Sequence, residues 1–248
     1  MERHFDSQIE KLKTRLIKMC SLVNEQVELA VRAIEEANAE LAEFVVDRDK
    51  KVDKYDVKVD KICMKLFALN QPVAMDLRLI MSSLTINTNL ERVGDLAANI
   101  ARFAREISKK PEYFNELQFR EIANMAMEMV RIAIDSFIEN DPELAKTVLE
   151  MENDLDEMVH KNHKLLIEIM KRNCDYIDTA VMFYTIFNHF ERLGDHSTNI
   201  AEDVFFIVEA QNIKHRYYDI LFNDEEDDDN ESEDDNENES KDKNGDKE

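Results

Sequence analysis

The sequence predicts an all-α protein: two tandem three-helix bundles, six long helices in all, followed by a disordered acidic C-terminal tail. Three observations predict it. The 248 residues include only three glycines and three prolines, too few for a chain built on tight β-turns. Glu, Lys, Leu, Ala and Met, all of which favour helix, together supply 99 of the 248 residues. "ERVGD" at 91–95 returns as "ERLGD" at 191–195, so one helical pattern is written twice.

The first helix is expected over 5–37, where Ile9, Leu12, Leu16, Met19, Val23, Val27, Ala30 and Ile34 recur at steps of three and four. Pro72 in "LNQPVAMD" separates helices expected over 40–69 and 73–108. Pro111 in "SKKPEYF" divides the body, and a fourth helix is expected over 114–139. Asp141 before Pro142 marks the start of a fifth, 142–171. A break at "KRNCDYID" precedes the sixth, 176–212, and "NMAMEMV" (124–130) reads as core filling. The domains are therefore expected at 1–109, 110–222 and, for the tail, 223–248. That tail has no apolar residue with which to offset the entropy of ordering.

From Asp224 onward the tail holds 15 acidic and 3 basic residues, a net −12 of the chain's −23. Such a balance argues against nucleic acid as a partner, because phosphate contacts need a basic surface. No apolar run approaches the roughly 20 residues that span a bilayer, and "MERHFDSQIE" has no apolar signal-peptide core. Cys20, Cys63 and Cys174 are odd in number and fit no metal spacing. They read as reduced thiols of a soluble cytoplasmic protein, with docking on a membrane partner left open.

The candidate chemistry lies in acidic pairs. Residues four apart share a helix face, so Glu91 and Asp95 project together, with Asn99 one turn on. Upstream lie Leu77, Ile80, Leu84 and Thr88, so these acids are expected to continue an apolar face; Ala180, Tyr184 and Phe187 lead likewise into Glu191 and Asp195. "ELAEFVVDRDKKVD" (40–53) has a weaker echo in "ELAKTVLEMENDLD" (143–156), which sets Asp49 and Asp53 opposite Glu152 and Asp156. Short loops make neighbouring helices antiparallel, so each half is expected to bring two carboxylate pairs together. Four negative charges in a poorly solvated groove are resolved by protonation, by a paired Arg or by a metal. Arg92 and Arg192 stand ready for the second outcome. Oxygen ligands suit Fe, Mn, Mg, Ca or, less selectively, Zn. Gly94 and Gly194 would let a neighbouring helix or a ligand approach the backbone. Taken alone, the row Asp49–Asp53–Asp56–Asp60 reads as a solvated face; its repetition in a second half favours ligands.

The remaining titratable groups offer less. His160, His163, His189 and His196 read as ordinary surface or core histidines, and Glu157–His160 makes only one ExxH step where di-iron bundles need two. There is no P-loop, GxSxG, HExxH or dinucleotide fingerprint, so an enzyme is not expected. A di-metal redox or metal-handling bundle and a plain helical scaffold remain as alternatives.

"HFDSQIEKLKTRLIKMCSLVNEQVELA", "NQPVAMDLRLIMSSL" and the twin "ERxGD…NIA" motifs resemble the PhoU family of phosphate-signalling regulators, over residues 4 to about 213. The resemblance implies two three-helix bundles and a dimer. It also implies metal clusters held by E(D)xxxD motifs, here Asp49, Asp53, Glu91 and Asp95 in one half and Glu152, Asp156, Glu191 and Asp195 in the other. Arg92, Gly94, Asn99, Arg192, Gly194 and Asn199 accompany them. The implied metals are Fe, Zn, Mn or Mg. The implied role is to repress phosphate uptake and the starvation response, linking the phosphate ABC transporter ATPase to a sensor histidine kinase at the membrane's inner face. The sequence departs from the family pattern in "GDLAANIAR", which lacks the usual His and final Glu, in Glu152 where Asp is usual, and in the acidic tail.

Overall fold

The computed structural model describes residues 2–107 and 109–210; the tail expected at 223–248 and the expected end of the sixth helix at 212 lie outside them. Helix α1 (Glu2–Glu36) exists because its apolar stripe has somewhere to go: all eight predicted stripe residues are buried. Helix α2 (Ala39–Asn70) starts at Asn38, whose side chain accepts from the Leu41 backbone N–H at 3.0 Å. That bond satisfies one of the amides a helix start leaves open. Helix α3 runs Ala74–Glu106.

In the second half, α4 spans Phe119–Glu139, α5 Pro142–Arg172 and α6 Ile177–Glu209. Asp141 caps α5 as the sequence predicts, accepting from Glu143 and Leu144 N–H at 2.8 and 3.3 Å. The fourth helix begins five residues later than expected, since Glu112–Glu116 forms a 3-10 turn. Tyr113 is buried there and donates its hydroxyl to Thr179 Oγ1 at 2.8 Å, while the Gln118 N–H donates to Asn162 Oδ1 at 2.9 Å. Phe114 stacks 5.4 Å from Phe119 and 5.5 Å from Phe183. Tertiary aromatic packing thus overrides the local helical preference.

Helices α1, α2 and α3 pack on one another, as do α4, α5 and α6, and α3 against α6 joins the two halves. The joining helices run antiparallel. Arg78 donates to the Ile207 carbonyl at 3.5 Å, His196 Nδ1–H donates to Asn89 Oδ1 at 2.9 Å, and Phe103 lies 6.1 Å from His189. The two ERxGD segments therefore meet near the middle of this seam. Cys20 and Cys63 are buried, and burial pushes each thiol up to about 12, where neither is a nucleophile at neutral pH.

The glycines are not turn residues. Five residues adopt a left-handed φ, among them Gln71 and Asn140 at helix C-termini, and no described glycine does. Gly94 and Gly194 sit inside α3 and α6 because neighbouring helices press against them. A Cβ on Gly94 would lie 3.2 Å from Val52 Cγ1 and 3.3 Å from Asp49 Oδ1. On Gly194 it would lie 2.6 Å from Leu155 Cδ2 and 3.5 Å from Met129 Cε. Of the Met-rich segment in α4, Met129 is fully buried and packs here. A Gly194→Val substitution is expected to destabilise the fold by about 1–3 kcal/mol through overpacking, read as a lower midpoint in thermal unfolding followed by circular dichroism.

Candidate metal centres

The first acidic groove lies between α2 and α3. Asp49 projects from α2 over Gly94 of α3, and the buried Gln26 of α1 ties the two together. Its Nε2 donates to Asp49 Oδ1 at 3.0 Å and to the Gly94 carbonyl at 3.1 Å. Burial, then the charges of Asp95 and Asp53, hold the Asp49 carboxyl above the usual range against the pull of Gln26. Glu91 is raised too, first by burial and then by Asp95. Asp53, Glu91, Asp95 and Asp49 therefore face one another across a single helix interface.

Arg92 does not cancel them. It lies 3.5 Å from both Glu91 and Asp95 with its side chain 55% exposed, a surface contact instead of the buried pair that the sequence allowed. Asn99, one turn on, accepts from Arg102. The groove also continues further than the sequence suggested. Asn87, fully buried, donates Nδ2 to Asp56 Oδ1 at 2.7 Å and Asp60 Oδ1 at 3.1 Å. Burial and then the Asp60 charge raise the Asp56 carboxyl. Asp49, Asp56 and Asp60 are half-buried and Asp53 is exposed, so the acidic row is the wall of a groove and not a wholly solvated face. Asn87 went unnoticed, although its place one turn before Glu91 was a usable signal. The side-chain oxygens of Asn87 and Gln26 are buried and have no hydrogen-bond partner.

The second groove, between α5 and α6, repeats the first with different walls. Glu152 is raised by burial and then by Asp156, Asp195 and Glu202. Burial raises Asp156, and it raises Glu191 with help from Asp156 and Asp195. Asp195 is raised by burial and Asp156, with Arg192 partly offsetting. Arg192 is itself exposed, and Asn199 is half-buried. At the positions equivalent to Asp56, Asp60 and Asn87, this half has Val159, His163 and Phe187. The His163 ring stacks 3.8 Å from Tyr184.

In neither half do the acids simply prolong the buried stripe. Ile80, Ala180 and Phe187 are buried, whereas Leu77 and Thr88 are exposed and Tyr184 is at the surface. The carboxylates lie on the margin of the stripe, where a carboxylate keeps partial hydration. Burial holds His189 and His196 below the ordinary histidine range, with Arg192 adding to it. Glu157 pairs with Lys161 at 2.8 Å at the surface.

An oxygen-only donor set of this kind suits a hard or borderline cation. Among the described residues, no three His, Cys, Asp or Glu side chains already stand in ligand geometry. Repulsion between ionised neighbours favours such splayed rotamers, and rotation about χ1 and χ2 is what would bring the oxygens inward.

The PhoU domain model matches residues 16–104 and 119–204, one copy for each half. The chain belongs to the PhoU family. Among PhoU relatives, the phosphate-specific transport system accessory protein PhoU homolog of Aquifex aeolicus is 34% identical over 210 residues, covering 85% of this chain and 95% of that protein. The corresponding Pseudomonas putida protein is 31% identical over 216 residues, covering 87% and 84%. The crystal structure of PhoU from Pseudomonas aeruginosa superposes with a TM-score of 0.80 at 31% identity, over 84% of this chain and 100% of that one.

The raised carboxyls have a consequence for stability. An acid whose folded pKa exceeds its unfolded one favours the fold while protonated. That advantage is lost as pH rises from the unfolded pKa through the folded one. In chelator-treated protein, Asp195→Asn is expected to raise the melting temperature at pH 7, and the gain should vanish below pH 4, about the ordinary carboxylate pKa.

Proposed function

We propose that this PhoU-family chain is a non-enzymatic, metal-binding adaptor that restrains phosphate uptake and phosphate-starvation signalling. It would act between the ATPase subunit of a phosphate ABC transporter and a sensor histidine kinase, as a homodimer in the cytoplasm. The observation that carries the metal part is the doubled carboxylate set: Asp49, Glu91 and Asp95 half-buried with Asp53 exposed at the rim, then Glu152 and Glu191 half-buried with Asp156 and Asp195 at the rim. A divalent cation, Fe, Zn, Mn or Mg, would supply the positive charge that these groups lack. Asp49 held by Gln26 is the best-oriented donor in the first half.

The regulatory part rests on family membership and on relatives described as accessory to phosphate-specific transport. Among the described residues no helix is long and apolar enough to cross a membrane, so contact with a transporter would be peripheral. The contacts of three histidines give a redox bundle no support: His196 bonds to Asn89, His163 lies 3.4 Å from the Tyr184 carbonyl, and His189 packs near Phe103.

Two measurements test the reading. Elemental analysis of protein purified without chelator should find stoichiometric metal, and Asp95→Ala and Asp195→Ala should each lower it by roughly the content of one centre; unchanged content in both would overturn the ligand assignment. Deletion of the gene should derepress phosphate uptake and alkaline phosphatase in phosphate-rich medium, and unchanged levels of both would overturn the regulatory role.

A further inference from the structure

Helix α2 is charged on two sides. Its acids face α3, while Lys51, Lys54, Lys58, Lys61 and Lys65 recur at steps of three and four on the other side. At about 100° per residue these five fall within an arc of about 80°, roughly opposite the acidic row. They extend about 21 Å along the helix at 1.5 Å per residue. All five are exposed. Lys11 and Lys18 of α1 widen the stripe. Lys11 shares a shallow groove of about 350 Å³ with Lys61 and Lys65, and Lys18 shares one of about 320 Å³ with Arg48 and Lys51.

Among the described residues none of the seven lysines makes a salt bridge, in a chain of net charge −23. The acids nearest this face have partners of their own: Glu25 holds Arg48, Asp47 holds Lys50 at 2.8 Å, and Glu43 holds Arg105 at 3.0 Å. The internal repeat supplies a comparison. The equivalent positions on α5 are Asp154, Glu157, Lys161, Lys164 and Glu168, with Glu157 and Glu168 paired to Lys161 and Lys171 at 2.8 and 3.2 Å. One half neutralises this face and the other leaves it positive.

We infer that the lysine stripe of α1 and α2 is a docking surface for an anionic lipid bilayer. The residue type favours that partner. Lysine presents a mobile point charge suited to a fluid field of headgroups, whereas a fixed carboxylate or phosphate partner is matched best by the planar fork of arginine. Exposed Phe44 and Leu69 lie near the two ends of the stripe and Ile17 lies on α1 beside it, offering apolar contact at the headgroup boundary. Screening within about 8 Å at physiological ionic strength keeps the stripe's field separate from the acidic grooves. The inference does not depend on metal in those grooves.

Sedimentation of the full chain with vesicles tests it. The chain is expected to bind phosphatidylcholine vesicles containing phosphatidylglycerol at low ionic strength, to bind pure phosphatidylcholine vesicles far less, and to be released by salt. Replacing Lys51, Lys54, Lys58, Lys61 and Lys65 by Gln should weaken binding by at least about tenfold. A control with Lys109, Lys110, Lys161, Lys164 and Lys171 replaced by Gln changes the net charge equally and should bind as the native chain does. Circular dichroism checks that both variants keep their helices; loss of helix in the stripe variant moves the comparison to single Lys58→Gln and Lys61→Gln chains, each expected to bind more weakly than the native chain. Absence of phosphatidylglycerol-dependent binding, equal binding by native and stripe variants, or equal loss in the control overturns the inference. Capture by soluble poly-glutamate without vesicle binding would assign the stripe to an acidic protein partner and overturn it as well.

Discussion

Everything distinctive in this molecule follows from carboxylates held close together at two helix interfaces. The interfaces close because α3 and α6 present no side chain at Gly94 and Gly194. Val52 and Asp49 press on the first, and Leu155 and Met129 on the second. Close approach removes water from the neighbouring acids, and desolvation is the largest influence raising the carboxyls of Asp49, Glu91, Glu152, Glu191 and Asp195. The fold therefore holds carboxyls at an electrostatic cost, and the proposed cation would relieve it.

The two halves share this device but have diverged around it. The first groove is polar along its length, with Gln26 and Asn87 holding Asp49, Asp56 and Asp60. In the second half the equivalent positions carry His163, stacked on Tyr184, and Phe187, which joins the core cluster of Phe119, Phe183 and Phe190. Two sites built on one plan thus offer different surroundings to a ligand, and equal affinity is not required of them. His196 on Asn89 fastens the halves where the two repeated segments meet.

The same helix that carries the first groove also carries the lysines that make no salt bridge, of which Lys58 lies 5.3 Å over the Tyr55 ring. Acids and bases thus lie on opposite sides of α2, so the proposed cation site and the inferred docking stripe would not compete for one face. The counterpart helix α5 does not separate its charges this way.

Six helices, the buried stripe of α1, the Asp141 cap and all four acidic pairs were legible in the sequence, because each depends on spacing along one helix. Periodicity of 3.6 residues fixes which side chains share a face before any neighbour is known. The resemblance to PhoU was legible for the same reason, since its motifs are local runs. What depended on a second element was not. Phe114 left its expected helix for an aromatic cluster, Arg92 stayed at the surface, and Asn87 and Gln26 joined the first groove from one turn away and from another helix. Only packing decides which side chains lose water and which meet across an interface, and that desolvation is what sets these acids apart from an ordinary solvated row.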